Sequence, residues 1–202
     1  MLKAKVCVLV SGGGTNLQAI IDAISSGVIK SAEISAVIAS NPNAYALERA
    51  KNNGIPAEVV YKKEMPSQEA FEERLIELIE HYKADIIVLA GFMCILSENF
   101  TKRYPERIIN VHPSLIPSFC GKGFYGLKVH EAALGYGVKV TGATVHFVNE
   151  IPDGGRIIMQ KAVAIEDGDT PEVLQKRVME QAEWIILPES VEKVSKEIMD
   201  RR

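Results

Sequence analysis

Apolar residues along this chain fall into short runs separated by stretches of helical spacing, the pattern of strands alternating with helices. Val6 to Val10 reads as a first strand, and Leu17, Ile20, Ile21 and Ile24 then recur as one face of a helix. Ile34 to Ala39 is a second strand, broken by Asn41-Pro42-Asn43. Leu47 and Ala50 mark a short helix that Gly54 should end in a left-handed C-cap. Ala57 to Val60 is a weaker third strand, followed by a long helix with Phe71, Leu75, Leu78 and Tyr82 on one face. Ala84 to Ala90 and Ile108 to Val111 are continuous apolar runs, as expected of parallel strands buried on both faces.

Beyond residue 112 the pattern changes. Cys120 to Gly126, CGKGFYG, is expected to be a mobile loop, and Val129, Ala132, Ala133 and Tyr136 give a helix that stops at Gly137. Val138 to Val148 and Ile157 to Ile165 are β-rich and joined by a turn at Asn149 to Gly155, so they are expected to pair antiparallel. Thr170-Pro171-Glu172 opens a helix through Leu174, Val178, Ala182 and Ile185. Pro188 should interrupt it, and Val191, Val194 and Ile198 predict a separate last helix. The whole predicts one Rossmann-like three-layer α/β/α domain over 1–202, its central sheet mostly parallel with an antiparallel C-terminal portion.

Composition narrows the class. With 47% hydrophobic and 24% charged residues among 202, the chain has material for one sizeable core. A formal charge of −3 argues against a nucleic-acid binder that relies on neutralising phosphates. No apolar run reaches the roughly 18 residues of a membrane span. MLKAKVCVLV runs directly into a glycine turn and is expected to be a strand and not a signal peptide. Cys7, Cys94 and Cys120 lack zinc-ligand spacing, so no metal is expected, and a reducing cytoplasm is the natural setting.

Three stretches carry candidate chemistry. In IINVHPSLIP, Asn110 and His112 lie two apart and so share one face of a strand that Pro113 terminates. An amide and an imidazole there are placed to stabilise an oxyanion and shuttle a proton. The alternative is a core strand with structurally bonded polar residues. SGGGTN, Ser11 to Asn16, sits between strand and helix, where backbone N–H groups at a helix start meet phosphate. Leu17 stands where G-x-G-x-x-G needs its last glycine, and Ala39-Ser40-Asn41 lacks the acidic ribose partner, so one phosphate fits better than a dinucleotide. Asp153, before two glycines, is either a turn former or a carboxylate returning to the strand ends to raise the pKa of His112. His146 reads as a structural histidine, His81 and His130 as surface residues, and Ser114 lies in no nucleophile elbow.

SGGGTNLQAI, AGFMCIL (Ala90 to Leu96), NVHPSLIPSF (Asn110 to Phe119) and GATVHFV followed by DGG together resemble the phosphoribosylglycinamide formyltransferase family over essentially the whole chain. The resemblance implies formyl transfer from 10-formyltetrahydrofolate to the amine of glycinamide ribonucleotide in purine biosynthesis, on a formyltransferase fold. It implies that Gly14, Thr15 and Asn16 bind the ribonucleotide phosphate and Glu183 its ribose, and that Met93, Cys94, Ile95 and Leu96, with Asn110, hold the folate. Asn110 would polarise the formyl oxygen, His112 would act as the protonated acid, and Asp153 would set its pKa. Residues 1–105 would then form the ribonucleotide half and 106–202 the formyl-folate half. The chain departs from the family pattern at Gln68 and Cys94, where arginines are common, at Arg156, and around Glu183. Lys122, with Lys128 as second choice, is a candidate cation for the folate's carboxylate tail; the alternative is a solvated glycine-rich loop whose lysines touch nothing. A deformylase would be expected to carry an extra N-terminal domain and a tRNA-directed formyltransferase a C-terminal one. A nucleotide-binding module without catalysis would not need Asn110, His112 and Asp153 together. The oligomeric state is not readable.

Overall fold

The computed structural model describes residues 2–201 and has one seven-stranded sheet in the order β3-β2-β1-β4-β5-β6-β7. The parallel part comprises β1 (Ala4–Val10), β2 (Ala32–Ala39), β3 (Ala57–Val59), β4 (Ile86–Leu89) and β5 (Ile108–His112). β6 (Val140–Phe147) pairs antiparallel with β5, and β7 (Ile157–Ala164) antiparallel with β6, as the turn between the two β-rich runs predicts.

Alternation along the strands splits the core in two. Val6, Val8 and Val10 of β1 face one apolar cluster with Ile86 and Val88, while Cys7 and Leu9 face another with Ile87 and Leu89. The first cluster takes the apolar sides of α1 (Thr15–Ser25), α2 (Ala46–Asn52), α6 (Pro171–Val178) and α7 (Trp184–Asp200). The second takes α3 (Gln68–His81), through Phe71, Leu75 and Leu78, and α4 (Glu98–Arg103), through Phe100. Helices on both faces make the three-layer arrangement expected from the run pattern. α5 (Leu127–Tyr136) stops at Gly137, whose φ of +82° supplies the left-handed cap.

Two helical features differ from expectation. α4 has six residues, too few for periodicity to register; its start is set by Ser97, whose hydroxyl accepts from the Phe100 N–H. Near the C-terminus the irregularity falls ahead of Pro188: Met179–Glu183 form a π-turn, and α7 continues through Pro188 to Asp200. The proline lies in the opening turns of α7, just after the widened segment, and the buried face formed by Ile186, Leu187, Val191 and Val194 keeps the helix continuous.

Candidate active site at the switch point of the sheet

β1 and β4 are neighbours from which successive connections depart in opposite directions, so a crevice opens beyond their C-terminal ends. On one side of it the chain leaves β1 through Ser11 to Gly14. Gly14 caps α1 in the left-handed region, φ +71°, and a Cβ there would stand 2.7 Å from the Cβ of Ala46. The turn is braced from α2: the Ala46 N–H donates to the Gly12 carbonyl (3.1 Å) and Arg49 Nε to the Gly13 carbonyl (2.8 Å). The glycine is thus needed for close packing against α2 as well as for backbone conformation. No side chain caps α1, which leaves the N–H groups of its first turn to an external acceptor.

The residues expected to bind a ribonucleotide are brought together. Asn16 Nδ2 donates to Glu183 Oε2 at 2.7 Å, although 167 positions separate them, because the π-turn before α7 lays Glu183 against α1. Both side chains are buried. Burial raises the Glu183 pKa, and the Asn16 hydrogen bond offsets this in part. The Asn16 side chain is therefore engaged by protein, and its Oδ1 is buried without a hydrogen-bond partner. A cavity of about 560 Å³ runs from Thr15 and Arg49 along α1 to Trp184 and Pro188, away from His112.

Across the crevice, β5 presents Asn110 and His112 on one face, and the β5–β6 register sets Asn110 opposite His146 and His112 opposite Thr144. His146 Nδ1 lies 2.8 Å from the Phe147 carbonyl, to which it donates. In neutral His146 the bare Nε2 then accepts from Asn110 Nδ2 at 3.2 Å, leaving the second amide N–H of Asn110 free. His112 Nε2 is 2.9 Å from the Phe119 carbonyl, and His112 Nδ1 is 3.6 Å from Asp153 Oδ2. Asp153 Oδ1 is 3.6 Å from His146 Nε2, and the Gly121 N–H donates to Asp153 Oδ2 at 2.8 Å. One carboxylate thus lies between two buried imidazoles.

Asp153 takes up that position in the left-handed region, φ +58°. The glycine pair behind it is a steric requirement, since a Cβ on Gly155 would lie 1.7 Å from the Phe147 carbonyl oxygen. Burial raises the Asp153 pKa, but a hydrogen bond from the His146 ring when Nε2 carries a proton, the charge of His112 and the Gly121 N–H outweigh it and hold the carboxyl below its usual value. His112 corrects the expectation of a raised pKa. Burial is the largest influence and lowers it; Asp153 and the Phe119 carbonyl raise it, His146 lowers it, and the balance lies below the ordinary value.

Of the other histidines, His146 is buried and hydrogen-bonded, as a structural histidine should be, whereas His130 is not the surface residue expected. His146 is a member of the cluster; its parity with Thr144 on an antiparallel neighbour of β5 was the available signal. His130 is fully buried on α5, with neither ring nitrogen hydrogen-bonded, and burial followed by the charge of His112 lowers its pKa to about 4. The CGKGFYG segment is tied to the site through Gly121. Lys122 is exposed there, whereas Lys128 is held by the Tyr125 hydroxyl at 2.9 Å.

The 92–97 stretch lines the crevice after β4, with Met93 and Ile95 exposed and Leu96 buried beneath them. Gln68 Nε2 donates to the Ile95 carbonyl (3.1 Å), and buried Glu72 accepts from the Ser97 N–H (2.7 Å) and hydroxyl (2.5 Å). Gln68 thus braces the loop where an arginine would project a charge. Among the described residues, no group of three or more His, Cys, Asp or Glu side chains is gathered as for a metal ion.

An uncapped helix start and an amide–imidazole–carboxylate cluster, both at the C-terminal ends of strands flanking the switch point, make up the kind of site that α/β enzymes use. A family model described as formyl transferase matches residues 4–191. The phosphoribosylglycinamide formyltransferase of Haemophilus influenzae is 42% identical over 184 residues, 91% of this chain and 84% of that one. The chloroplastic phosphoribosylglycinamide formyltransferase of Arabidopsis thaliana is 39% identical over 180 residues, 89% of this chain. The crystal structure of glycinamide ribonucleotide transformylase 1 from Symbiobacterium toebii superposes with a TM-score of 0.90 at 39% identity, covering 96% of this chain and 89% of that one. The chain belongs to the formyl transferase family, within which it groups with proteins of the phosphoribosylglycinamide formyltransferase type. It spans 61% of the length of the Arabidopsis protein and 18% of the trifunctional cattle and human proteins that it also matches.

Proposed function

We propose that this chain transfers the formyl group of 10-formyltetrahydrofolate to the amine of glycinamide ribonucleotide, in purine biosynthesis. The observation that carries the reading is the Asp153 carboxylate set between His112 and His146 beside an Asn110 amide with an uncommitted N–H. The ribonucleotide phosphate sits on the backbone N–H groups at the start of α1, at Gly14, Thr15 and Asn16, with Glu183 toward the ribose. The pterin lies along Met93 to Leu96, whose exposed residues and braced backbone suit a flat heterocycle. On this reading the halves 1–105 and 106–202 divide the substrates only in part, since Met93 to Leu96 precede the division and Glu183 follows it.

The neutral amine attacks the formyl carbon, and the free N–H of Asn110 donates to the oxygen as it becomes an oxyanion. Such a donor contributes about 3 kcal/mol, roughly a hundredfold or more in rate. His112 takes the proton from the attacking nitrogen and delivers it to the folate nitrogen as the C–N bond breaks, releasing tetrahydrofolate and the formylated amide. To do so, Nε2 gives up the Phe119 carbonyl and the neutral ring carries its proton on Nδ1, toward Asp153, which leaves Nε2 bare to accept; Asp153 then stabilises the imidazolium that forms between the two transfers. The pKa below the ordinary histidine value suits a group that must accept a proton before donating it.

Incubation with 10-formyltetrahydrofolate, with and without glycinamide ribonucleotide, tests the reading. Tetrahydrofolate should appear only when the amine is present and in equal amount with formylated product. Release without the amine would indicate a hydrolase, and no release in either case would remove the catalytic reading.

A further inference from the structure

Three groups lie in a row across the top of the sheet, where β2, β1 and β4 stand side by side. Ser40 follows β2, Ser11 follows β1, and Met93 lies on the segment that follows β4. The Oγ atoms of Ser11 and Ser40 are 2.6 Å apart, and the Met93 N–H donates to Ser11 Oγ at 2.9 Å. Backbone pairing ends just below this level, with the Ala90 N–H on the Leu9 carbonyl (2.9 Å) and the Ser40 N–H on the Val10 carbonyl (3.0 Å). Above it the exits diverge. β1 turns through Gly12 to Gly14 into α1, and Gly91, φ +71°, swings the chain after β4 into the 92–97 stretch. Among the described residues, the Ser11–Met93 hydrogen bond is the one that joins residues 11–16 to residues 91–97.

Ser11 therefore sits at the root of the glycine turn and also holds the first backbone N–H of the facing loop. Its hydroxyl uses a lone pair for Met93, and the hydrogen bond with the buried Ser40 fixes its rotamer. Movement of the turn toward an anion displaces that hydroxyl, and the Met93 backbone follows or the bond is lost.

We propose that Ser11 is a positioning residue that couples the two substrate subsites, so that filling the turn with the ribonucleotide phosphate orders the 93–96 backbone for the pterin, and the reverse. This rests on the reading of function given above. The first ligand bears the cost of ordering both loops and the second binds to a loop already set, which gives positive and reciprocal linkage without a large structural change. A coupling carried by one hydrogen bond is worth about a two- to tenfold change in affinity.

Calorimetry with glycinamide ribonucleotide and tetrahydrofolate measures it, since this pair carries no formyl group and cannot react. In the wild type, saturating either ligand should tighten the other by the same factor, about two- to tenfold. Ser11→Ala should bring that factor close to one, while Ser11→Thr, which keeps the hydroxyl, and Ser40→Ala, which keeps the Met93 bond, should retain most of it. Equal factors in the wild type and Ser11→Ala would overturn the coupling, as would a wild-type factor of one. A wild type that binds neither ligand would instead overturn the underlying reading of function. Amide exchange supplies a second measurement that needs no variant: ribonucleotide alone should slow exchange of the Met93 N–H, and an unchanged rate would also overturn the coupling.

Discussion

At the scale of single residues, the site depends on how few partners are left over. Asn110 gives one N–H to His146 and keeps one, and Asp153 accepts one backbone N–H where it lies between the two rings. Asn110→Ala and His112→Ala each remove a group assigned to the transition state, so kcat should fall by roughly a hundredfold or more with much smaller changes in KM. Steady-state kinetics showing near-wild-type turnover in either would refute the assignment. Asp153 is one of the influences that raise the His112 pKa against burial. In Asp153→Asn that support is lost, so the His112 pKa falls further and the limb of the pH–rate profile belonging to the imidazolium moves to lower pH. The groups interact, so the profile reports the cluster as a whole. An unshifted limb in a folded variant would count against the pairing.

At the scale of elements, the glycine turn is positioned by α2 as much as by its own residues. Gly14→Ala forces a left-handed side chain, at a cost of about 1–2 kcal/mol, into contact with Ala46. It should lower the Tm as well as weaken ribonucleotide binding. Gly13→Ala, whose Cβ would meet nothing within 4 Å, should leave the Tm unchanged. Calorimetric titration of the ribonucleotide separates the two effects; a folded Gly14→Ala protein with wild-type affinity would place the phosphate elsewhere. The 92–97 loop is braced similarly from α3, where Gln68 and Glu72 hold Ile95 and Ser97.

At the scale of the whole molecule, a single sheet and a shared core join the two halves of the chain: Leu17 and Ile20 of α1 lie in one cluster with Val191 and Val194 of α7. Stability should carry an acid-side dependence from the buried His130. Its folded-state pKa of about 4 lies below the ordinary 6.5. Below pH 6.5 the unfolded chain therefore takes up a proton that the folded chain does not. Stability falls as pH drops from about 6.5 toward 4, by at most roughly 3 kcal/mol from this group, with no further loss below. His130→Phe removes both the titration and two unpartnered ring nitrogens. Its Tm at pH 7 should match or exceed the wild type, and its decline between pH 6.5 and 4 should be shallower. Thermal melts across that range check this; an equally steep decline would assign the acid sensitivity to other groups.

Strand and helix identities were set by the sequence itself, because periods of two and of 3.6 are written locally: Val6 to Val10, the Phe71–Leu75–Leu78 stripe and the Thr170-Pro171 start each needed only their neighbours. The same holds for Asn110 and His112, whose shared face follows from spacing in a strand, and for the glycine turn before α1. What depended on register or on distant packing was decided by the tertiary structure. His146 joined the cluster because β6 pairs with β5 in the register that sets it opposite Asn110, and a one-residue slip would have turned it to the other face. His130 went inside because α5 presents that face to the core, and Glu183 reached Asn16 because a π-turn rotated it there. The net shift of His112 belongs to the same class: the neighbouring carboxylate was legible in the chain, but burial, which outweighs it, is a property of the assembled fold.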